Sequence, residues 1–307
     1  MTREENIKHV LANKELLMAK KTSALKFGDV IFGQYGQVNE KTEMYKQEGA
    51  DSMDLGKLKL SLCINTTNVI DSHMDCHIPG LWKKSLSETK ILHLLQEHEM
   101  EFEYVIADTV NNEFTANTKT IAWNKFGVSY EGSTQALVFD VTIDAKRNPF
   151  MFEQYKNGWV LNHSVGMRYV KLFLCVDSNE PMYAGEKANW DKYYPQVVNK
   201  EVADTKGYFW AVTEAKVVEG SAVVKGSNSF TPVISITELT DKGFCDMCQE
   251  ETSSLSADNG ETLCKACGTR RKEAVNDDTS KNENEPSKDT QRDNVPTLDW
   301  NDVISNF

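Results

Sequence analysis

The sequence predicts a mainly-β fold of the α+β class, because segments with strand character outnumber segments with helical character. Apolar and polar residues alternate at the start of 56–70 and again over 136–143, which is the pattern of a half-buried strand. Residues 159–176 have a β-rich composition throughout, and strand character returns over 208–238. Four strand-forming segments therefore lie between residues 56 and 238.

Helical segments are fewer. Residues 1–25 carry a charged helical pattern, and 81–95 predict a helix closely followed by a strand. Residues 149–158 begin with proline and end with glycine, as a helix commonly does. A polar stretch with Tyr and Trp, 177–207, interrupts the β pattern and is interpreted as an insertion.

Composition divides the chain into four segments. We expect a helical or irregular extension over 1–56, a β-rich domain over 57–240 and a cysteine module over 243–272. Residues 273–307 form an acidic tail with few apolar residues until its end, and such a composition predicts disorder. The last eleven residues are apolar again, which favours either packing on the domain or ordering on a partner.

The charge of the chain restricts its partners. The formal net charge is -12, and this acidic balance argues against nucleic-acid binding, which needs a cationic surface. No apolar run approaches the roughly 18 residues of a membrane span, so we expect no membrane association. The first residues lack the basic start and apolar stretch of a signal peptide, which predicts a protein made in a cytosol.

Four of the seven cysteines lie in one short window and predict a metal site. Their spacing is C-x2-C-x15-C-x2-C, which suits a tetrahedral structural Zn²⁺ site. The predicted ligands are Cys245, Cys248, Cys264 and Cys267. Four sulfur ligands leave no open position, so we expect no cofactor to take part in catalysis. The alternative is a pair of redox motifs, which lack a βαβ context here.

A serine inside the β-rich run is the first candidate for catalysis. Ser164 lies in the segment Asn162-His-Ser-Val-Gly-Met167, and Gly166 permits close approach of a backbone, as a scissile carbonyl would require. A serine nucleophile also needs a base within hydrogen-bond reach and a group that orients the base. From the residues alone, the choice among several histidines and carboxylates stays open.

The order of four motifs resembles the prohead maturation serine proteases of tailed phages. The first is Asn68-Val-Ile-Asp-Ser-His-Met-Asp-Cys-His-Ile-Pro-Gly-Leu-Trp-Lys-Lys-Ser-Leu86, and the second is Ile91-Leu-His-Leu-Leu-Gln-Glu-His-Glu99. The third is the serine segment with the preceding helix 152–158, and the fourth is Thr213-Glu-Ala-Lys-Val-Val-Glu-Gly-Ser-Ala-Val-Val224. Together the motifs cover roughly residues 57–225. The chain departs from the family at Met74, at 225–228 and in the insertion.

The resemblance implies a fold and a set of catalytic residues. The fold is a compact β-barrel with surrounding helices, related to the herpesvirus assembly protease. Ser164 is the implied nucleophile, His98 the general base and acid, and Glu219 the third member. The rivals for the third role are Glu214, Glu97 and Glu99.

The other histidines have different expected roles. His163 is adjacent to Ser164, and because neighbouring residues of a strand point to opposite faces, it is not expected to be the base. His93 lies five residues before His98 and would face the other way on a continuous strand. His73 and His77 belong to a polar loop near the substrate cleft or, alternatively, to a metal site.

The family resemblance also implies a biological role. It suggests cleavage of scaffold protein, or of the scaffold-like part of the major capsid protein, inside the immature viral capsid in the host cytoplasm. Self-cleavage and a homo-oligomeric state stay open. The alternative is a non-catalytic scaffold or docking protein that has the same fold and binds through its zinc module.

Overall fold

The structure is a computed structural model in which the chain divides into two compact units, Met1–Lys242 and Gly243–Phe307. The residues that it describes are 1–23, 47–48, 54–240, 243–244, 247–248, 251–252, 255–258 and 261–267. None of the helices in this described part has the length and apolar character needed to cross a membrane.

The described part of the first unit contains six α-helices and ten β-strands. The helices are α1 (Arg3–Ala12), α2 (Lys14–Ser23), α3 (Lys83–Glu88), α4 (Pro149–Lys156), α5 (Ala184–Tyr193) and α6 (Lys200–Lys206). The strands are β1 (Gln47–Glu48), β2 (Asp54–Thr66), β3 (Asp75–His77), β4 (His93–Gln96), β5 (Val105–Asp108), β6 (Phe114–Ala122), β7 (Ser133–Asp144), β8 (Asn162–Val176), β9 (Tyr208–Val223) and β10 (Val233–Thr240). Short 3₁₀ turns occur at Phe102–Tyr104, Trp123–Phe126, Pro181–Tyr183 and Tyr194–Gln196.

The first sheet has the order β1-β10-β2-β7-β6. Its centre is the antiparallel pair of β2 and β7, in which Leu60 lies opposite Val141 and Leu62 lies opposite Phe139. All four side chains are buried in the main apolar core. The alternation over the two segments therefore corresponds to one inward-facing row on each strand, as the period of two requires.

The second sheet is built on the long strand β9. One side of β9 pairs with β8 over its whole length in antiparallel fashion, and the other side pairs in parallel with β3 near its start and with β4 near its end. β5 adds to β4. Gly220 lets β9 lie close to the first sheet: a Cβ atom there would lie 2.5 Å from Cε2 of Phe139 and 3.1 Å from Cγ2 of Ile64. The two sheets share one apolar core.

The prediction of a mainly-β, α+β protein agrees with these two dominant sheets, but the prediction of a β-barrel is wrong. Within the described residues no ladder of strands closes on itself, as a barrel requires. One reason lies at the outer edge of β8. The backbone N–H of His163 donates there to the carbonyl of Thr231, which belongs to the loop before β10 and not to a strand. Helices α2 and α5 pack against the same strand.

Several segments differ in detail from the prediction. The helical pattern over 1–25 gives two helices that meet at Asn13, and α1 begins with a capping box between Thr2 and Glu5. The polar stretch 177–207 contains α5 and α6, and the indole of Trp190 stacks on Tyr194 with ring centroids 4.7 Å apart. No element was predicted between 99 and 135, where β5, β6 and the start of β7 lie.

The second unit contains two short hairpins in its described residues. They are formed by β11 (Gly243–Phe244) with β12 (Glu251–Thr252), and by β13 (Leu255–Asp258) with β14 (Glu261–Cys264). Cys248 lies between β11 and β12, and Cys264 is the last residue of β14. Cys245 and the side chain of Cys264 lie outside the described residues, as does the tail after 267. The zinc site therefore stays a prediction.

Candidate active site

The candidate site is organised around the C-terminal half of β9. Ser221 on β9 lies directly opposite Ser164 on β8, and on the other side it is paired with Leu95 on β4. Side chains of directly opposite residues in an antiparallel pair lie on the same face of the sheet. Ser164 and Ser221 therefore share a face, and Glu219, two residues before Ser221, belongs to that face too.

Gly166 makes room for the carboxylate of Glu219. The two residues are opposite each other in the pairing of β8 with β9. A Cβ atom at residue 166 would lie 2.8 Å from the carboxyl carbon of Glu219 and nearer still to Oε1. The space at Gly166, which we assigned from the sequence to a scissile carbonyl, holds this carboxylate in the structure. The glycine is required by a side chain of the neighbouring strand.

His98 lies on a tight turn that follows β4, and not on a strand as we had predicted. The turn spans Gln96–Glu99, and the N–H of Glu99 donates to the carbonyl of Gln96 at 3.0 Å. Its two central residues, Glu97 and His98, have φ values of 50° and 62°. A positive φ is uncommon for residues other than glycine, although histidine adopts it more often than most. Such strained positions persist where surrounding contacts fix them, and they cluster at active sites.

Both bonds that Glu97 makes to the end of β9 and to the residue after it hold the turn. The N–H of Glu97 donates to the carbonyl of Ala222 at 2.9 Å, and Oε1 of Glu97 accepts from the N–H of Val224 at 2.7 Å. The comparison of the directions of His93 and His98 assumed that both lie on one continuous strand. Because β4 ends at Gln96, that comparison does not apply. The geometry of the turn itself directs the imidazole.

The structure brings His98 and Glu219 together. Nδ1 of His98 lies 2.7 Å from Oε1 of Glu219. A carboxylate only accepts hydrogen bonds, so Nδ1 carries the proton and the lone pair of the neutral ring lies on Nε2. The side chain of Glu219 is completely buried, and that of His98 is 9% exposed. A buried carboxylate fixes the tautomer of the imidazole and stabilises imidazolium when the ring accepts a proton.

Ser164 is nearly buried, with an exposed fraction of 6%. The loop from 224 to 232 passes over it: a Cβ atom at Gly226 would lie 2.9 Å from the carbonyl oxygen of His163 and 3.7 Å from Cβ of Ser164. Glycine at 226 therefore allows the loop to approach the serine. Ser164 and His98 are both neighbours of Ser221, the first through the strand pairing and the second through a hydrogen bond from its N–H to Oγ of Ser221 at 3.2 Å.

The rival carboxylates have other contacts. Glu214 forms ion pairs with Lys171 at 2.7 Å and with Lys84 at 3.4 Å, and the hydrogen bond from Lys171 holds the pKa of Glu214 below its usual value. Glu97 accepts from the N–H of Val224, the residue after β9, and Glu99 is exposed. Of the four candidate carboxylates, Glu219 is the one with a described bond to His98.

His163 has partners on both ring nitrogens. The hydroxyl of Tyr155 lies 3.0 Å from Nε2, and Nδ1 lies 3.0 Å from the carbonyl oxygen of Thr231. The imidazole therefore donates to Thr231 and accepts from Tyr155. Burial lowers the pKa of His163 to about 4, because desolvation penalises the charged form. This geometry agrees with the expectation that His163 is not the base for Ser164.

The polar loop 71–77 holds a separate buried network. Asn65 donates to Nδ1 of His77 at 3.0 Å, and Nε2 of His77 lies 3.4 Å from the hydroxyl of Tyr169. That hydroxyl donates to Asp75, whose other oxygen pairs with Lys21 of α2 at 2.5 Å. Desolvation lowers the pKa of His77 to about 4. In the part of the chain that the structure describes, no three metal-ligating side chains form a cation site.

Sequence reasoning overlooked Ser221. Its hydroxyl donates to Oε2 of Glu219 at 2.5 Å while it accepts from the N–H of His98. The signal was present, because Glu219 and Ser221 are two residues apart on a predicted strand and must share a face. The turn at Glu97 and His98 carried no comparable signal, since the sequence there holds no glycine or asparagine, the residues that most often mark a left-handed conformation.

No protein-family model, curated protein or solved structure matches this chain. The geometry around β9 is therefore the basis for a functional proposal.

Proposed function

We propose that this protein is a serine endopeptidase in which Ser164 is the nucleophile, His98 the general base and acid, and Glu219 the residue that orients His98. The observation that carries the proposal is the 2.7 Å bond from Nδ1 of His98 to the buried carboxylate of Glu219, on the sheet face that also holds Ser164. A histidine held in this tautomer offers Nε2 to a serine hydroxyl.

The proposed reaction proceeds in two steps. Oγ of Ser164 attacks the peptide carbonyl carbon and its proton passes to Nε2 of His98, which then protonates the leaving amine as the C–N bond breaks. Water, deprotonated by His98, attacks the resulting ester, and the proton returns to Oγ as the acid product leaves. Glu219 stays ionised and stabilises the imidazolium in both steps.

We further propose that the substrate is a viral scaffold protein, or the scaffold-like part of the major capsid protein, cleaved inside the immature capsid. The support for this finer proposal is the order of the four sequence motifs. The cysteine module would bind a structural Zn²⁺ through the four cysteines 245, 248, 264 and 267 and take no part in the chemistry.

The experiment is co-expression with the neighbouring capsid gene, followed by mass measurement of the products. The wild-type chain is expected to shorten the capsid or scaffold protein at defined bonds, and Ser164→Ala is expected to leave it intact. The matched control is Ser85→Ala. Ser85 is also buried, and its hydroxyl accepts from the N–H of Val217, two residues before Glu219 on β9, while its described contacts include no bond to Glu219, Ser221 or His98. Cleavage that persists in Ser164→Ala would overturn the proposal.

A further inference from the structure

We infer that Ser221 is a positioning residue that holds the carboxylate of Glu219 and the backbone of His98 in one closed ring of hydrogen bonds. The inference rests on the proposed function and adds a fourth residue to its site. In the ring, the N–H of His98 donates to Oγ of Ser221, that hydroxyl donates to Oε2 of Glu219, and Nδ1–H of His98 donates to Oε1 of Glu219. Its three bonds measure 3.2, 2.5 and 2.7 Å.

The first task of Ser221 concerns the carboxylate. Glu219 has no solvent-exposed surface, so its two oxygens depend on protein donors. His98 supplies one and Ser221 the other. With both oxygens bonded, the carboxylate cannot rotate about its last side-chain bond without breaking two charge-assisted hydrogen bonds. The plane of the carboxylate, and with it the direction of the bond to Nδ1, is therefore set by Ser221.

The second task concerns the turn. His98 has a φ of 62°, a conformation that needs outside support in a residue with a side chain. Its N–H donates to Oγ of Ser221, so the backbone of the base and its carboxylate partner are tied to the same hydroxyl. Loss of that hydroxyl would remove one hydrogen bond from the backbone of His98 and one from the carboxylate of Glu219.

The same contacts argue against Ser221 as the nucleophile. Its proton is donated to Glu219, and one of its two lone pairs accepts from the N–H of His98. A nucleophilic hydroxyl must instead donate to Nε2 of the base. Ser164 lies directly opposite Ser221 and has no such bond to Glu219 among the contacts that the structure describes. The two serines of this pair thus have different tasks.

The test compares Ser221→Ala with Ser85→Ala in the full chain, by two independent measurements. The first is the rate of covalent labelling by a fluorophosphonate, in which a serine Oγ displaces fluoride from phosphorus and the proton leaves through the base. Ser221→Ala is expected to label about ten- to a hundredfold more slowly than the wild type, because a bond to a buried charged group is lost. Ser85→Ala is expected to label at the wild-type rate.

The second measurement is the proton NMR signal of Nδ1–H in protein with ¹⁵N-labelled histidine, assigned to His98 by its absence in His98→Gln. In the wild type and in Ser85→Ala the signal is expected to be sharp and protected from exchange with water. In Ser221→Ala it should be broadened or lost, which a general loss of stability would not cause in a protein that remains folded by circular dichroism.

An unchanged Nδ1–H signal in Ser221→Ala overturns the inference, as does a wild-type rate of labelling. Failure of the proposed function looks different: the wild-type chain would then take no label on Ser164. In that case the NMR comparison still decides whether Ser221 holds the pair.

Discussion

Replacing Gly166 with alanine is expected to separate Glu219 from His98. The new methyl group would lie 2.8 Å from the carboxyl carbon of Glu219, whereas carbon atoms in contact lie about 3.5–4.0 Å apart. The carboxylate must therefore move by about 1 Å, since the backbone of β8 is held in its ladder with β9. A displacement of this size breaks a hydrogen bond of 2.7 Å.

The consequence for activity follows from this displacement. A misplacement of about 1 Å in a catalytic group costs on the order of a hundredfold in rate. Overpacking is expected to lower the free energy of unfolding by about 1–3 kcal/mol in addition. We therefore expect Gly166→Ala to fold, to melt at a lower temperature and to be labelled by a fluorophosphonate about a hundredfold more slowly than the wild type.

Gly185→Ala is the matched control. A Cβ atom at this position in α5 would have no neighbour within 4 Å, so alanine is expected to leave labelling unchanged and to stabilise the helix by up to about 1 kcal/mol. A double-mutant cycle isolates the contact. In a chain that already carries Glu219→Ala, adding Gly166→Ala should cost little further activity, because the clashing carboxylate is gone. Wild-type labelling of Gly166→Ala, or equal losses in both backgrounds, would refute the reasoning.

Three other predictions concern stability and metal. His163→Gln should be labelled at the wild-type rate but should change the pH dependence of unfolding. The pKa of His163 is about 4 in the folded protein and about 6.5 in the unfolded chain, so the unfolded chain takes up a proton first as the pH falls. The free energy of unfolding of the wild type should therefore fall by about 2–3 kcal/mol between pH 7 and 4.5 in urea titrations, and that of the variant should not show this fall. Lys21→Met should lower the free energy of unfolding by about 3–5 kcal/mol, because it leaves the buried Asp75 without its ion-pair partner. Lys20 is exposed, so Lys20→Met should leave thermal unfolding unchanged. Metal analysis should find about one Zn²⁺ per chain, and chelation should leave the labelling of Ser164 unchanged; a chain without zinc, or labelling abolished by chelation, would contradict this separation.

The strands were predictable because burial imposes a period of two on them. The row of Leu58, Leu60 and Leu62 on β2 faces the core and could be identified from its spacing. Whether the strands close into a barrel could not be predicted in this way, since closure depends on which strand edges meet and not on which residues are buried. At β8 a loop carbonyl, that of Thr231, occupies the edge at His163.

The site was predictable in part for the same reason. Glu219 and Ser221 share a strand face by spacing alone, and Gly166 was visible as a position that needs space. The turn that directs His98 depends on bonds from Glu97 to the backbone of Ala222 at the end of β9 and of Val224 just after it, and those contacts are made only when the sheet forms. The pairing of the base with its carboxylate is thus a tertiary property.

The most direct test of the account is to find which residue a fluorophosphonate modifies. Purified wild-type chain should gain one adduct, and peptide mapping should place it on Ser164. Ser164→Ala should gain none, and His98→Ala should be labelled at least about a thousandfold more slowly, because the serine and its base act as a unit. An adduct on Ser221, or equal labelling of His98→Ala and the wild type, would contradict the assignment of Ser164 and His98 as nucleophile and base.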